Sequence, residues 1–456
     1  MASSFYFDPN LTRCDHLVLQ NIVRDIELAR RNPTVPLRYD KQNEHSMENG
    51  PGGFRDTLAV NTCDGFLYQA TCESDPSTVE KLQALNDPLH NDFEPTVFVS
   101  WDMWQIKLHP LLNRYFLQPY VEWARKVVRV GTDVVMVTHL ILYFTTSVPS
   151  AVFLFLHFSW IHGLLHWLMQ SYYVGTYTLM MHQHIHMRGI LSRKYTWLDR
   201  SFPYVTDPLM GHTWNSYYYH HVKHHHVEGN GPDDLSSTIR YQRDDFIHFA
   251  QYVGRFFFLV WLDLPRYFFR KGKYIDGLKI ATSELANYTA IYLLAVYVNL
   301  QATIFVFILP FILLRMGLMV GNWGQHAFVD ETEPESDFRS SITLIDVASN
   351  RYGYNDGYHT SHHLNPRRHW REHPAAFIRQ KKTYAQEKAL VFHNIDYIMM
   401  TVNLLRKDYA HLARCLVPIG DQIHMSLEER AMMLRRKTRR FTEEEIVKNF
   451  RKNRSR

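Results

Sequence analysis

The chain has 456 residues, 46% of them hydrophobic and 21% charged, and its 50 Lys and Arg against 45 Asp and Glu leave a formal charge of +5. That composition fits neither a disordered chain nor a collagen-like or disulfide-dense scaffold. Four cysteines (Cys14, Cys63, Cys72, Cys415) without a CxxC pair argue against a thiol redox centre or a cysteine-built zinc site, while 27 histidines supply an unusual number of side chains able to ligate metal.

Residues 1–105 read as a polar extension of mixed charge. Asp8, Arg13 and Asp15 fall where a secretory signal would need an unbroken apolar run, so no cleavable signal is expected. From Val134 to Met187, 54 consecutive residues lack Asp, Glu, Lys and Arg. One helical span needs roughly 20, so two are predicted. Proline cannot donate a backbone hydrogen bond, which places the break near Ser147, Pro149 and Ser150. The second span, about 151–181, would reach about 46 Å against an apolar bilayer core of about 30 Å, so its last turns should project into water.

Residues 285–314 are again uncharged, and after Arg315 the chain stays uncharged to Gln325. This predicts a second hairpin turning at Asn299 and Gln301, with Arg315 near the far end of its last span, reaching toward lipid headgroups. Lys107, Arg114, Arg125, Lys126 and Arg129 precede the first hairpin and Arg188, Arg193 and Lys194 follow it, whereas neither turn carries a positive charge. The positive-inside bias then puts both termini and the segment between the hairpins in the cytoplasm. The short run from Phe256 to Leu262 is too brief to span and predicts an interfacial or buried helix. From Arg430 to Arg456, 11 Lys or Arg face 3 Glu. We read residues 411–456 as a basic cytoplasmic tail, attracted to an anionic leaflet or solvated as a helix capped by Thr442 and Glu445, and not as a nucleic-acid arm.

Three histidine clusters follow or separate the hairpins: His182-Gln-His-Ile-His186, His220-His-Val-Lys-His-His-His226 and His359-Thr-Ser-His-His363. Side chains three and four apart share a helix face. On that phase His182 and His186, His221, His224 and His225, and His359, His362 and His363 form eight candidate metal ligands. His326 adds a ninth, one turn from Asn322, whose amide is placed to hold a metal-bound water. A zinc site takes about four ligands, so nine suit two transition ions, and iron with imidazole is a reasonable pairing. The Glu-x-x-His pairs of soluble di-iron bundles do not occur.

A single crossing by 285–325 would separate His326 and the third cluster from the others, whereas two hairpins put every cluster on one face. The expected fold is therefore an all-α integral membrane protein. Four transmembrane helices in two hairpins would carry a cytoplasmic helical cap around a histidine-rich di-metal site, the membrane and cap domain covering 106–410. His184, His220 and His226 fall out of phase and read as supporting or solvent-facing groups. His162 and His166 precede His182 by about 24 Å of helix and read as hydrogen-bonded within the membrane. A metal transporter would need acidic partners beside His139, His157, His162 and His166, and none follows Asp133. A zinc hydrolase would need HExxH, where this chain has Gln183.

These boxes, with the strings HHVKHHHVEGN and NDGYHTSHHLNP, resemble the membrane fatty acid desaturase family over about residues 130–370. Asn322 and His326 match an Asn and His found in its acyl-coenzyme A members. The resemblance implies two non-haem irons, dioxygen as co-substrate, and hydrogen removal from an unactivated methylene pair of a fatty acyl or related lipid chain held in a dry tunnel. It also implies an endoplasmic reticulum membrane location. No GxGxxG fingerprint is present, so electrons are expected from cytochrome b5 or another external donor with its reductase. The string Asn49-Gly-Pro-Gly-Gly53 lacks the histidine of a fused cytochrome b5 domain. Arg367, Arg368 and Arg371 could receive an acidic donor or contact headgroups. A hydroxylase, acetylenase or epoxidase using the same irons is the alternative within the superfamily; a membrane zinc hydrolase or transporter is the alternative from another class.

Overall fold

The computed structural model describes residues 7–9, 11–31, 75–93, 95–98, 101–102 and 108–450. Lys107, Cys63, Cys72, the 49–53 string and the last six residues of the basic tail lie outside them. The described residues are mostly helical, with two small two-stranded sheets, one antiparallel near residue 100 and one parallel pairing Ile342–Ile345 with Leu390–His393.

The first uncharged stretch does form two helices, but the turn falls at residues 157–159 and not at 147–150. Val134–Leu156 runs as one 23-residue helical path through a π-turn at Tyr143–Ser147. Pro149 sits where the α-helix restarts after that wider turn, a position that tolerates its missing N–H. The hydroxyls of Thr145 and Thr146 donate to the carbonyls of Ile141 and Leu142 one turn back, a contact that bends a helix without ending it. Ser159 then caps Trp160–Met187, a helix of 28 residues that ends at Arg188 in the left-handed conformation.

The second stretch turns where its sequence indicated. Asn299 caps the helix Leu300–Gln325, accepting from the Ala302 N–H at 2.9 Å, and Tyr274–Tyr297 precedes it. Arg315 departs from expectation. It is only 6% exposed and faces Glu284, so it does not reach outward to headgroups. Glu284 lies just before the uncharged run, 31 residues away, where sequence proximity gives no sign of pairing. Among the described residues two helices, Val134–Leu156 and Leu300–Gln325, are long and apolar enough to cross a membrane. Their hairpin partners have the length but carry more polar side chains.

The run from Phe256 to Leu262 belongs to a longer amphipathic helix, Phe246–Arg270, which buries Tyr252, Phe256, Val260 and Leu264 and exposes Phe258, Leu259 and Leu262. The helix Arg13–Arg31 and the segment up to residue 450 both pack onto the helical body. Val18, Leu19, Ile22 and Ile26 of the helix Arg13–Arg31 pack against Ile345, Tyr358 and Phe377, and Asp15 accepts from the Tyr358 hydroxyl at 2.8 Å. The C-terminal segment has the predicted capping box of Thr442 and Glu445. Up to residue 450, however, it is docked and not free. Phe441, Ile446 and Phe450 join a core with Ile239 and Val329, and the buried Arg243 donates to the carbonyls of Lys437 and Arg439 at 2.8 and 2.7 Å.

Candidate metal centre

His182 and His186 stand one turn apart on the last turns of the 160–187 helix, their rings 4.9 Å apart. The second cluster is wound differently from an α-helix. Tyr218–His225 is a π-helix, in which residues five apart come into line. His226 therefore joins His221 on one side while His225 faces another. The short helix His359–Leu364 splits its three imidazoles, sending His362 one way and His359 with His363 the other. His326 caps the C-terminus of the 300–325 helix.

Two groups result: His182, His186, His221, His226 and His362, and His225, His326, His359 and His363, with ligand nitrogens within 4.8 Å of one another in each. In the first, four Nε2 atoms close a ring: His182 to His362 3.0 Å, His362 to His226 2.9 Å, His226 to His221 3.1 Å and His221 to His182 2.9 Å. A square of that edge has its centre about 2.1 Å from each corner, the length of a metal–imidazole bond. The fifth member, His186, has a buried Nε2 with no hydrogen-bond partner among the described residues. In the second group His359 Nε2 lies 3.3 Å from His326 and 3.1 Å from His363.

Carboxylates and carbonyls behind the rings set which nitrogen faces inward. His225 Nδ1 lies 2.7 Å from Asp234, His326 Nδ1 lies 2.7 Å from the Ser340 carbonyl, and His182 Nδ1 lies 3.5 Å from Asp356. A proton held on Nδ1 leaves Nε2 with a lone pair for the interior. Burial, followed by the neighbouring imidazoles, pushes His221, His226, His359, His362 and His363 well below the ordinary imidazole range, and pushes His326 down to about 4. Burial would raise the Asp234 carboxyl, but His225, His224 and the Ser236 hydroxyl outweigh it and keep it anionic. Neutral nitrogens whose lone pairs converge at such distances repel unless a cation lies between them. The donor set therefore fits two imidazole-bound ions.

Eight of the nine sequence-derived histidines, all except His224, are brought into these groups. His224 is turned away. Its Nε2 accepts from the Leu235 N–H at 3.2 Å, and its Nδ1 lies 3.9 Å from Asp234, behind His225. His226, read from sequence as out of phase, takes the place in the first group. The three consecutive histidines at 224–226 left both windings open, and the α-helical period selected the wrong one. Asn322 donates to the Ser236 carbonyl at 2.8 Å and to the Tyr252 hydroxyl at 2.7 Å, which fixes its amide and leaves the carbonyl oxygen uncommitted among the described residues. His184 points off the centre toward Asp199, and His220 packs on Phe256. His162 and His166 share the Ser150 hydroxyl, each at 2.9 Å. Of the three arginines beside the third box only Arg367 is exposed; Arg368 binds the Ser361 carbonyl, and Arg371 stacks on Phe93 and Trp370.

No curated protein and no solved structure matches the chain. Residues 159–394, more than half of it, match the family model described as Fatty acid desaturase.

Proposed function

Because the chain belongs to the fatty acid desaturase family, we propose that it uses dioxygen to introduce a double bond into a fatty acyl or related lipid chain at a non-haem di-iron centre. The observation that carries this reading is the division of nine imidazoles into groups of five and four, backed by Asp356 and Asp234. Irons bound there would supply the dioxygen-activating chemistry that removes hydrogen from an unactivated methylene pair. His182, His186, His221, His226 and His362 would hold one and His225, His326, His359 and His363 the other, with Asn322 offering its free carbonyl oxygen to a water at the second. The rest of the protein's part is orientation and the exclusion of water.

On this reading the 160–187 and 274–297 helices also cross the membrane, making four spans. Ile161, Leu164, Leu165 and Leu168 on one, and Leu285, Leu293 and Val296 on the other, are exposed as lipid-facing residues would be. His182, His186 and His326 all lie at the helix ends remote from the hairpin turns, which favours one shared face. The basic flanks favour the cytoplasmic side for that face, and the family resemblance supports the endoplasmic reticulum as the membrane. An acidic donor such as cytochrome b5, with its reductase, would approach near Arg367.

Elemental analysis of detergent-purified protein tests the metal, with about two irons per chain expected. Acyl substrates supplied with reductase and cytochrome b5 should then yield an unsaturated product. A hydroxylated product would assign the same centre to a hydroxylase, and one zinc without iron would sink both readings.

A further inference from the structure

Between the metal groups and the hairpin turns lies a buried charge cluster that this reaction does not use. Arg315 and Glu284, 6% and 3% exposed, pair at 3.4 Å. The guanidinium also donates to the Tyr288 hydroxyl at 2.9 Å and the Phe257 carbonyl at 3.0 Å, and lies 4.2 Å over the Phe311 ring. The other Glu284 oxygen accepts from the hydroxyl of Thr213. Removing two charges from water costs more than an apolar pair of the same size would, and ionisable groups at membrane depth are rare without a role.

Thr213 belongs to a loop, 211–215, that touches both hairpins and leads through Ser216 and Tyr217 into the π-helix. Gly211, at φ +88°, lies so close to the Pro310 carbonyl that a Cβ would come within 2.3 Å of it. His212 Nε2 is 3.2 Å from the Thr178 hydroxyl, one turn before His182, and the Tyr217 ring is 4.9 Å from His212 and 5.4 Å from His221. Arg315 lies two turns before Asn322 on the same helix face, about 10 Å away. The cluster thus fixes how far the second hairpin is advanced relative to the second histidine box.

A helix advances about 1.5 Å per residue, close to the spacing of successive carbons in an extended acyl chain. We infer that Glu284, Arg315 and Thr213 are positioning residues that determine which carbons of the substrate meet the metal centre. This rests on the lipid-oxidising reading above. None of the three is assigned contact with the metal or the reacting carbons.

The test uses full-length protein in proteoliposomes with reductase, cytochrome b5 and saturated acyl chains of two lengths, supplied as coenzyme A esters and as phosphatidylcholines. The position of the new double bond or hydroxyl is read by mass spectrometry, per iron bound. Thr213→Val, which keeps shape and loses the hydrogen bond, should retain iron and move at least roughly a tenth of the product to a neighbouring carbon. Glu284→Gln should move more. An unchanged position in every iron-loaded variant overturns the inference while leaving the reaction intact, and so does loss of iron from Thr213→Val itself, which would mark a purely structural role. A wild-type protein with two irons that forms neither product overturns the parent reading, and this one with it.

Discussion

His224 and His226 are neighbours of the same residue type, yet one faces the ring of nitrogens and the other supports Asp234 from behind. His226→Ala removes a corner of the four-nitrogen ring and should cost most of the iron at that group, measured as metal per chain after desalting. His224→Ala should retain most of its iron, because it removes only a neighbour of the carboxylate that orients His225. The reverse order would mean that the α-helical phase, and not the π-helical one, describes the second box. At this scale much was legible in advance. His182 and His186 lie on an α-helix and come into one group as their spacing indicates, whereas His359, His362 and His363, read as one face, are divided between the two groups. His226 and the pairing of Arg315 with Glu284 were not legible, because the first depends on an added residue per turn and the second on a contact between separate helices.

Among the elements, the π-helix at 218–225 amounts to one residue added to an α-helical turn. Deleting Val222 removes that extra residue, and in the α-helix that results His226 stands four residues after His221 and keeps to its face. The expected result is a folded, largely helical protein that still binds metal at both groups, with circular dichroism checking the fold and elemental analysis the metal; loss of metal from the folded variant would mean that the wider turn itself is needed. The hairpin turn at Asn299 was readable because asparagine caps a helix locally. The turn at 157–159 was not, since Pro149 signals a break that the π-turn at 143–147 absorbs.

For the whole molecule, the buried histidines couple stability to pH. Burial, with neighbouring positive groups, pushes His373 and His220 down to about 3 and His326 to about 4, whereas unfolded histidine titrates at about 6.5. The unfolded chain therefore binds more protons below about 6.5, and stability falls as the pH drops from there toward 4. Asp15 and Asp207, pushed up by burial to about 6 and about 7, act in the opposite direction, but the buried histidines outnumber them. Iron-free protein should melt at a lower temperature at pH 5 than at pH 7, and by nearly the same temperature at pH 7.5 and 8. A melting temperature that rose toward pH 5 would contradict the neutral, buried state of these rings.

The three imidazoles of the 359–364 helix are divided between the two groups, and so are those of the second box. An ion that draws His362 into place also sets the helix that presents His359 and His363, and one that draws His221 and His226 sets His225. Filling either position prepares the other, so loading should be cooperative. Native mass spectrometry of a half-loaded preparation should find chiefly molecules with two ions or none, and few with one. Iron supply would then alter the number of competent molecules and not the competence of each.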